Sequence, residues 1–222
     1  PRSVFAMPHT ANLHQPAPTL VLGSSSPYRR ELLARLGLSF VVHSPDVDEA
    51  PQPHERPARL AERLALSKAM AVVQHLQGLH QDPIVIGSDQ VADLNGQCLG
   101  KPGNHERAAE QLRTMSGQTV LFLAAVAVSR PLTGHIGTHL STVKVVFRTL
   151  DGPTIETYLR REQPYDCAGS AKVEGLGITL LSSVQSDDPT SLIGLPLIAL
   201  TRLLREAGLV PFSSESPTET HP

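Results

Sequence analysis

Residues 84–96 read Ile-Val-Ile-Gly-Ser-Asp-Gln-Val-Ala-Asp-Leu-Asn-Gly. An unbroken apolar opening of β-branched residues, with no polar alternation, describes a strand covered on both faces. The pattern runs past Gly87 through Val91 to Leu94 and meets Asn95-Gly96, a dipeptide whose backbone freedom suits a two-residue hairpin turn. Upstream, the apolar stretch 19–23 is a second short buried strand that runs into Ser24-Ser25-Ser26-Pro27. There Ser26 is a good N-cap, Pro27 suits the first helical position, and Leu32, Leu33 and Leu36 form an apolar stripe that Gly37 ends. A strand at 40–42 and a polar stretch 43–57 precede a long amphipathic helix at about 58–77, with Leu60, Leu64, Ala65, Ala69, Val72, Val73 and Leu76 on one face. Further on, the spacing predicts helices near 105–115, 153–162 and 196–207 and strands near 118–129 and 138–149. Strands alternating with helices, together with hairpins, predict a layered α/β fold on a mixed sheet.

Composition bounds the function. Of 222 residues, 40% are hydrophobic and 18% charged, so a core of globular size is available. A formal net charge of -2 lacks the electrostatic footprint of a general DNA or RNA binder. Cys98 and Cys167 stand far apart without zinc-type spacing, which suits a reducing compartment. No apolar run of about 18 residues offers a membrane span, and no signal peptide is visible, so a cytoplasmic location is expected. Residues 1–18 read as a leader without periodic pattern and 211–222 as a polar tail, leaving one domain over 19–210.

Five segments carry polar groups where chemistry is plausible. In 23–30 a strand delivers a small-residue loop to a helix N-terminus, where free N–H groups and the dipole attract anions, and Arg29 and Arg30 add guanidinium charge. A capped helix with two solvated arginines has the same pattern. Asp46-Val47-Asp48-Glu49 offers oxygen ligands of the kind hard divalent cations take, although most acidic runs are solvated loops. Asp89 is the most informative residue: a carboxylate inside a buried strand is costly unless it is paired, metal-bound or catalytic. Its bland alternative is a solvent-facing position on an edge strand. Lys101 follows the hairpin as a possible phosphate partner, and the small-residue loop 167–177 carries Lys172 and Glu174. The ten histidines show no HxH or HExxH spacing, and neither GxSxG nor the Walker pattern is present.

In this order, LVLGSSSPYRRELL (20–33), DVDEAP (46–51), RLALSKA (63–69), VIGSDQVADLNGQCLGKP (85–102), CAGSAKVEGLG (167–177) and IGLPL (193–197) resemble the Maf-like nucleotide pyrophosphatases over about residues 19–208. The resemblance implies a three-layer α/β/α fold with a mixed twisted sheet, related to the inosine triphosphate pyrophosphatases and commonly homodimeric. It implies hydrolysis of a nucleoside triphosphate to the monophosphate and diphosphate with a divalent cation, Mg²⁺, Mn²⁺ or Co²⁺. Carried over by position, Asp89 matches the catalytic proton acceptor. Ser24, Arg29, Lys68 and Lys101 match positions lining the phosphate site, with Ser26 beside them in the same loop. Glu49 matches an acidic position implicated in activity that, with Asp89, is expected to meet the metal. Tyr28, Gln90 and Glu174 match three positions that separate substrate classes.

Two departures stand out: Gly23 where the family usually has Ala, expected to loosen the strand end, and Tyr28 where the nearest branch typically has Trp. That branch takes 7-methyl-GTP, and elementary chemistry agrees with it. N7 methylation makes the base cationic, which an aromatic face attracts, and one carboxylate at Glu174 can accept both N1–H and N2–H of guanine. A branch that prefers dTTP or UTP carries Gln at that position and Thr after the catalytic Asp. A pyrophosphatase for dTTP, UTP or CTP, and a non-catalytic regulator of septum formation, are the alternatives.

Overall fold

The computed structural model describes residues 18–78 and 82–210. The expected tail, and the expected leader apart from Pro18, lie outside the described residues. The chain runs β1 (Thr19–Gly23), α1 (Pro27–Ala34), β2 (Val41–Val42), α2 (Pro57–His75), β3 (Pro83–Leu94), β4 (Gln97–Leu99), α3 (His105–Met115), β5 (Thr119–Arg130), β6 (His135–Phe147), α4 (Gly152–Glu162), β7 (Leu181–Gln185) and α5 (Leu197–Glu206). Short 3₁₀ turns occupy Ala168–Ser170, Leu176–Leu180 and Ser191–Ile193. Among the described residues no helix is long and apolar enough to cross a membrane.

One seven-stranded sheet, in the order β2-β1-β3-β5-β6-β7 with β4 paired to β3, carries the whole structure. β2, β1 and β3 are parallel, and every later pairing is antiparallel, so the sheet is mixed as the hairpin signal requires. Side-chain alternation along the long central strands then sorts the layers. Val85 and Val91 of β3 and Leu123, Ala125 and Ala127 of β5 face α2, which alone covers one side. The opposite side has two covers. Ile84, Ile86, Val126 and Val128 pack under α1 and α5, whereas Ala92, Leu94, Val120 and Phe122 pack under α3 and α4. The result is the three-layer α/β/α arrangement.

Sequence patterning located ten of these elements and, through Asn95-Gly96, the turn that β4 completes, and the differences have local causes. α1 stops at Ala34, with Gly37 (φ 67°) in the turn that follows, so Leu36 packs from the loop. β7 is an edge strand with four of its five residues exposed, which removes the alternation that marks a strand. Gly23 does not loosen β1: it is buried and pairs with Gly87. A Cβ there would stand 3.0 Å from the Ile86 carbonyl oxygen and 3.2 Å from a Val72 methyl carbon. α2 therefore lies close against both strand ends.

Candidate active site

The site exists because the sheet has a gap. β1 pairs with β3 only as far as Gly23 opposite Gly87, and β4 joins the same edge only from Leu99 opposite Ala92. Among the described residues, no strand covers that edge of β3 from Ser88 to Val91. A cleft of about 360 Å³ opens there, lined among others by Ser24, Arg29, Glu49, Lys68, Asp89 and Lys101. It lies beyond the carboxyl end of β1, where α/β sheets commonly receive ligands.

Asp89 points to the α2 side of β3 and is 7% exposed, which excludes a solvent-facing carboxylate. α2 supplies the compensation: Lys68, itself buried, donates to Asp89 Oδ1 at 2.6 Å. The same ammonium lies 2.6 Å from Glu49 Oε1, so the two carboxylates converge on one cation. Burial works to raise the Glu49 carboxyl, yet the hydrogen bond and charge of Lys68, with Lys101 and Arg29 behind it, hold it below the usual glutamate range. Asp46 and Asp48 do not join it. Asp46 lines a separate surface hollow, and Asp48 accepts from the Ala50 N–H at 2.9 Å.

The serine loop is built around the helix end. Ser26 caps α1 by accepting from the Arg29 N–H. Ser24 Oγ accepts from the Ser26 N–H at 3.2 Å and from Arg29 Nη1 at 3.4 Å. Arg29 Nε donates to the Gly194 carbonyl at 2.9 Å, fixing the guanidinium over the cleft. Burial lowers its pKa and the Asp89 and Glu49 charges oppose that, so it stays a cation. Arg30, one residue on, faces solvent and lines neither cleft.

A second cleft of about 220 Å³ adjoins the first on the other side of β3 and takes Tyr28, Gln90, Phe122, Asp166, Cys167 and Glu174 into its walls. Gln90 serves mainly to hold the chain: its Nε2 donates to the carbonyls of Ser191 and Leu192 at 3.0 and 2.9 Å. Ser88 adds a bond to the Gly194 carbonyl, so three side chains clamp the 191–194 turn. Glu174 rides on a loop tied to α4. Glu162 accepts from the Leu176 N–H at 2.6 Å and pairs with Lys172 at 2.9 Å, which takes Lys172 out of the cleft. The Tyr158 hydroxyl donates to the Ser170 carbonyl and accepts from the Lys172 N–H, both at 3.0 Å. Gly177 must be glycine, since a Cβ would lie 2.5 Å from the Lys172 carbonyl oxygen. Partial burial raises the Glu174 carboxyl above the usual range, against its own backbone hydrogen bond and Lys172 and with the help of Glu162 and Glu31.

The structure thus brings Ser24, Ser26, Tyr28, Arg29, Glu49, Lys68, Asp89, Gln90, Lys101 and Glu174 into two adjoining clefts. Missed by the sequence were the roles of Ser88, Asp166 and the 191–194 turn, whose partners lie 101 to 138 residues away and leave no local pattern.

Comparison with known proteins places this geometry. Residues 19–207 match the family model described as Maf-like protein. A 7-methyl-GTP pyrophosphatase of Polaromonas sp. (strain JS666 / ATCC BAA-500) is 60% identical over 194 residues, covering 87% of each chain. The protein of that name from Bordetella pertussis is 56% identical over 200 residues, covering 88% of this chain and 96% of its own. A solved nucleoside-triphosphatase / dITP/XTP pyrophosphatase from Mycobacterium abscessus overlaps 65% of this chain and 94% of its own at 17% identity, with a TM-score of 0.38. With the family model spanning the sheet, its helices and both clefts, the chain belongs to the Maf-like protein family.

Proposed function

We propose that this chain is a nucleoside triphosphate pyrophosphatase that hydrolyses 7-methyl-GTP to 7-methyl-GMP and diphosphate. The observation that carries the reading is the polarity of the joined clefts. Three cations, Arg29, Lys68 and Lys101, outnumber the two carboxylates Glu49 and Asp89 in the first, whereas in the second Asp166 and Glu174 balance the shared Arg29 and Lys101. An anionic triphosphate at one end and a cationic base at the other match that order of charge. The names of the relatives support the same substrate.

In this reading Arg29 and Lys101 bind the phosphates and stabilise the charge that grows on the leaving diphosphate. Lys68 fixes Asp89 through Oδ1. Among the described residues Oδ2 has no hydrogen-bond partner, so it is available to take the proton of the water that attacks the α-phosphorus. As that P–O bond forms, the bond to the bridging oxygen breaks and diphosphate leaves. Glu49 and Asp89 also suit a cation. Their oxygens converge on one point, and Mg²⁺ typically takes one or two carboxylates and completes its shell with water and phosphate oxygens. No group of three His, Cys, Asp or Glu side chains among the described residues offers a closed cage. Mg²⁺, Mn²⁺ or Co²⁺ held beside the ammonium would supply charge neutralisation on the triphosphate. A cytoplasmic homodimer is the setting proposed for this activity, and sedimentation of the purified protein checks the dimer.

Hydrolysis of 7-methyl-GTP, GTP, UTP, dTTP and CTP with each cation, followed by diphosphate release, tests the reading. It expects 7-methyl-GTP to have the highest kcat/KM. A lead for UTP or dTTP moves the chain to the pyrimidine class, and absence of turnover with tight binding makes it a sensor. Glu174→Gln is expected to lower kcat/KM for 7-methyl-GTP by about tenfold, the scale of losing a charge-assisted hydrogen bond, with a smaller change for UTP. Because the Glu174 carboxyl is raised, it takes up a proton at milder acidity than an ordinary glutamate. The 7-methyl-GTP/UTP ratio should therefore fall as pH is lowered from 7 to 5, and the Gln variant should show a flat ratio. Taking the ratio cancels the pH dependence of every step that both substrates share.

A further inference from the structure

At the base end of the second cleft, Tyr28 from α1 meets Asp166, which lies in the turn between α4 and the Ala168–Ser170 turn. Tyr28 Oη is 3.5 Å from Asp166 Oδ2, an exposed contact longer than the roughly 2.5–3.0 Å of an ordinary hydroxyl hydrogen bond and short enough to orient the phenol. Cys167 Sγ lies 4.0 Å from the same phenol and 3.6 Å from Asp166 Oδ1. A carboxylate only accepts and a thiol is a weak donor, so the phenol proton is directed to Asp166. Burial, with the Asp166 charge adding to it, pushes the Cys167 thiol up to about 12, which keeps it neutral. Burial, then Cys167 and Asp166, also hold the Tyr28 phenol protonated, so it remains a donor. A phenol that donates to a carboxylate is polarised toward the ring, and its face attracts a cation more strongly.

We infer that Asp166 is a specificity-determining residue that acts through Tyr28, anchoring the phenol and strengthening the attraction of its ring for a positively charged purine. The inference rests on the reading of the second cleft as the base site. Asp166 is a positioning residue in this scheme, and it needs its charge as well as its acceptor.

Asp166→Asn separates the two, because the amide oxygen still accepts from the phenol while the charge is gone. The experiment measures kcat and KM for 7-methyl-GTP and GTP, which differ by one methyl group and one positive charge. It uses the full chain, Asp166→Asn, Tyr28→Phe and the double variant, each checked by thermal melting. The expected result for Asp166→Asn is a fall of about twofold to fivefold in the 7-methyl-GTP/GTP ratio of kcat/KM, the scale of a partly exposed cation–π contact. The loss should appear in KM for the methylated substrate and not in kcat. In the Tyr28→Phe background the Asn substitution should leave the ratio where Phe alone puts it. An unchanged ratio in Asp166→Asn, with the full chain preferring 7-methyl-GTP, overturns the role of Asp166 and leaves the proposed function standing. An equal fall in the Phe background also overturns it, since Asp166 then acts on the base directly. If the full chain does not distinguish 7-methyl-GTP from GTP, the base-site reading fails and the inference fails with it.

Discussion

Asp89→Asn is expected to lower kcat for 7-methyl-GTP by at least about 100-fold, the lower end of what a positioned general base contributes. The substitution keeps the shape of the side chain and an oxygen that accepts from Lys68 Nζ, so the geometry between α2 and β3 survives. What disappears is the capacity to take a proton. Removing one partner of a buried ion pair is usually destabilising, because the other charge is left without compensation. Here Lys68 retains Glu49 at 2.6 Å, which limits that cost. Melting temperature and nucleotide affinity should therefore stay close to those of the unsubstituted chain while turnover collapses. Steady-state kinetics, calorimetric titration with the nucleotide and a thermal melt on the same preparation check the three quantities. Wild-type turnover in this variant would remove Asp89 from the chemistry. Loss of turnover together with loss of affinity would assign Asp89 to holding substrate or cation instead.

The central strand was legible because the hydrophobic effect writes burial directly into sequence: 84–86 is apolar without interruption and is covered on both faces. Asp89 was legible for the same reason in reverse, since a polar residue in such a strand needs a partner. Its partner was not identifiable from burial alone. Periodicity gives Lys68 no role and the resemblance assigns it only to the phosphate site, but with α2 laid on β3 it becomes the cation that makes Asp89 tolerable. Arg30 shows the opposite failure. Consecutive helical residues point about 100° apart, so charge beside Arg29 is no guide to charge in the cleft. The clamp on the 191–194 turn was illegible because its acceptors are backbone carbonyls, and a carbonyl is the same whatever residue carries it. The gap that creates the cleft is a matter of register. It follows from where β1 stops pairing at Gly87 and where the Asn95-Gly96 turn lets β4 begin, two facts settled only when the strands are assembled.

Gly87→Ala should damage stability and activity together, and this separates it from Asp89→Asn. A Cβ at position 87 would penetrate the Ala65 carbonyl oxygen and lie 2.6 Å from the Ala69 backbone nitrogen and 2.9 Å from its Cβ. Two of these are backbone atoms of one helix and the third is an alanine Cβ fixed to it, so no rotamer change relieves the overlap and α2 must move off the sheet. Overpacking of this kind costs about 1–3 kcal/mol, against a gain of about 0.5–1 kcal/mol from replacing a strand glycine, so the clash wins. For a chain of this size each kcal/mol corresponds to roughly 2–4 °C in melting temperature, and a fall of several degrees is expected. The same displacement reaches the chemistry, because Ala65 and Ala69 bracket Lys68 on the face of α2 that meets β3. A shift of the order of 1 Å in a positioning group costs roughly 100-fold in rate, so kcat should fall far more than the modest loss of stability alone explains at a temperature where the variant is folded. Gly152→Ala is the matched control: its Cβ meets nothing within 4 Å, and it should melt and turn over like the unsubstituted chain. If Gly87→Ala instead matches that control in both measurements, α2 stands further from β3 than the contacts at Gly87 require. The 2.6 Å link from Lys68 to Asp89 would then not be what holds the carboxylate in place.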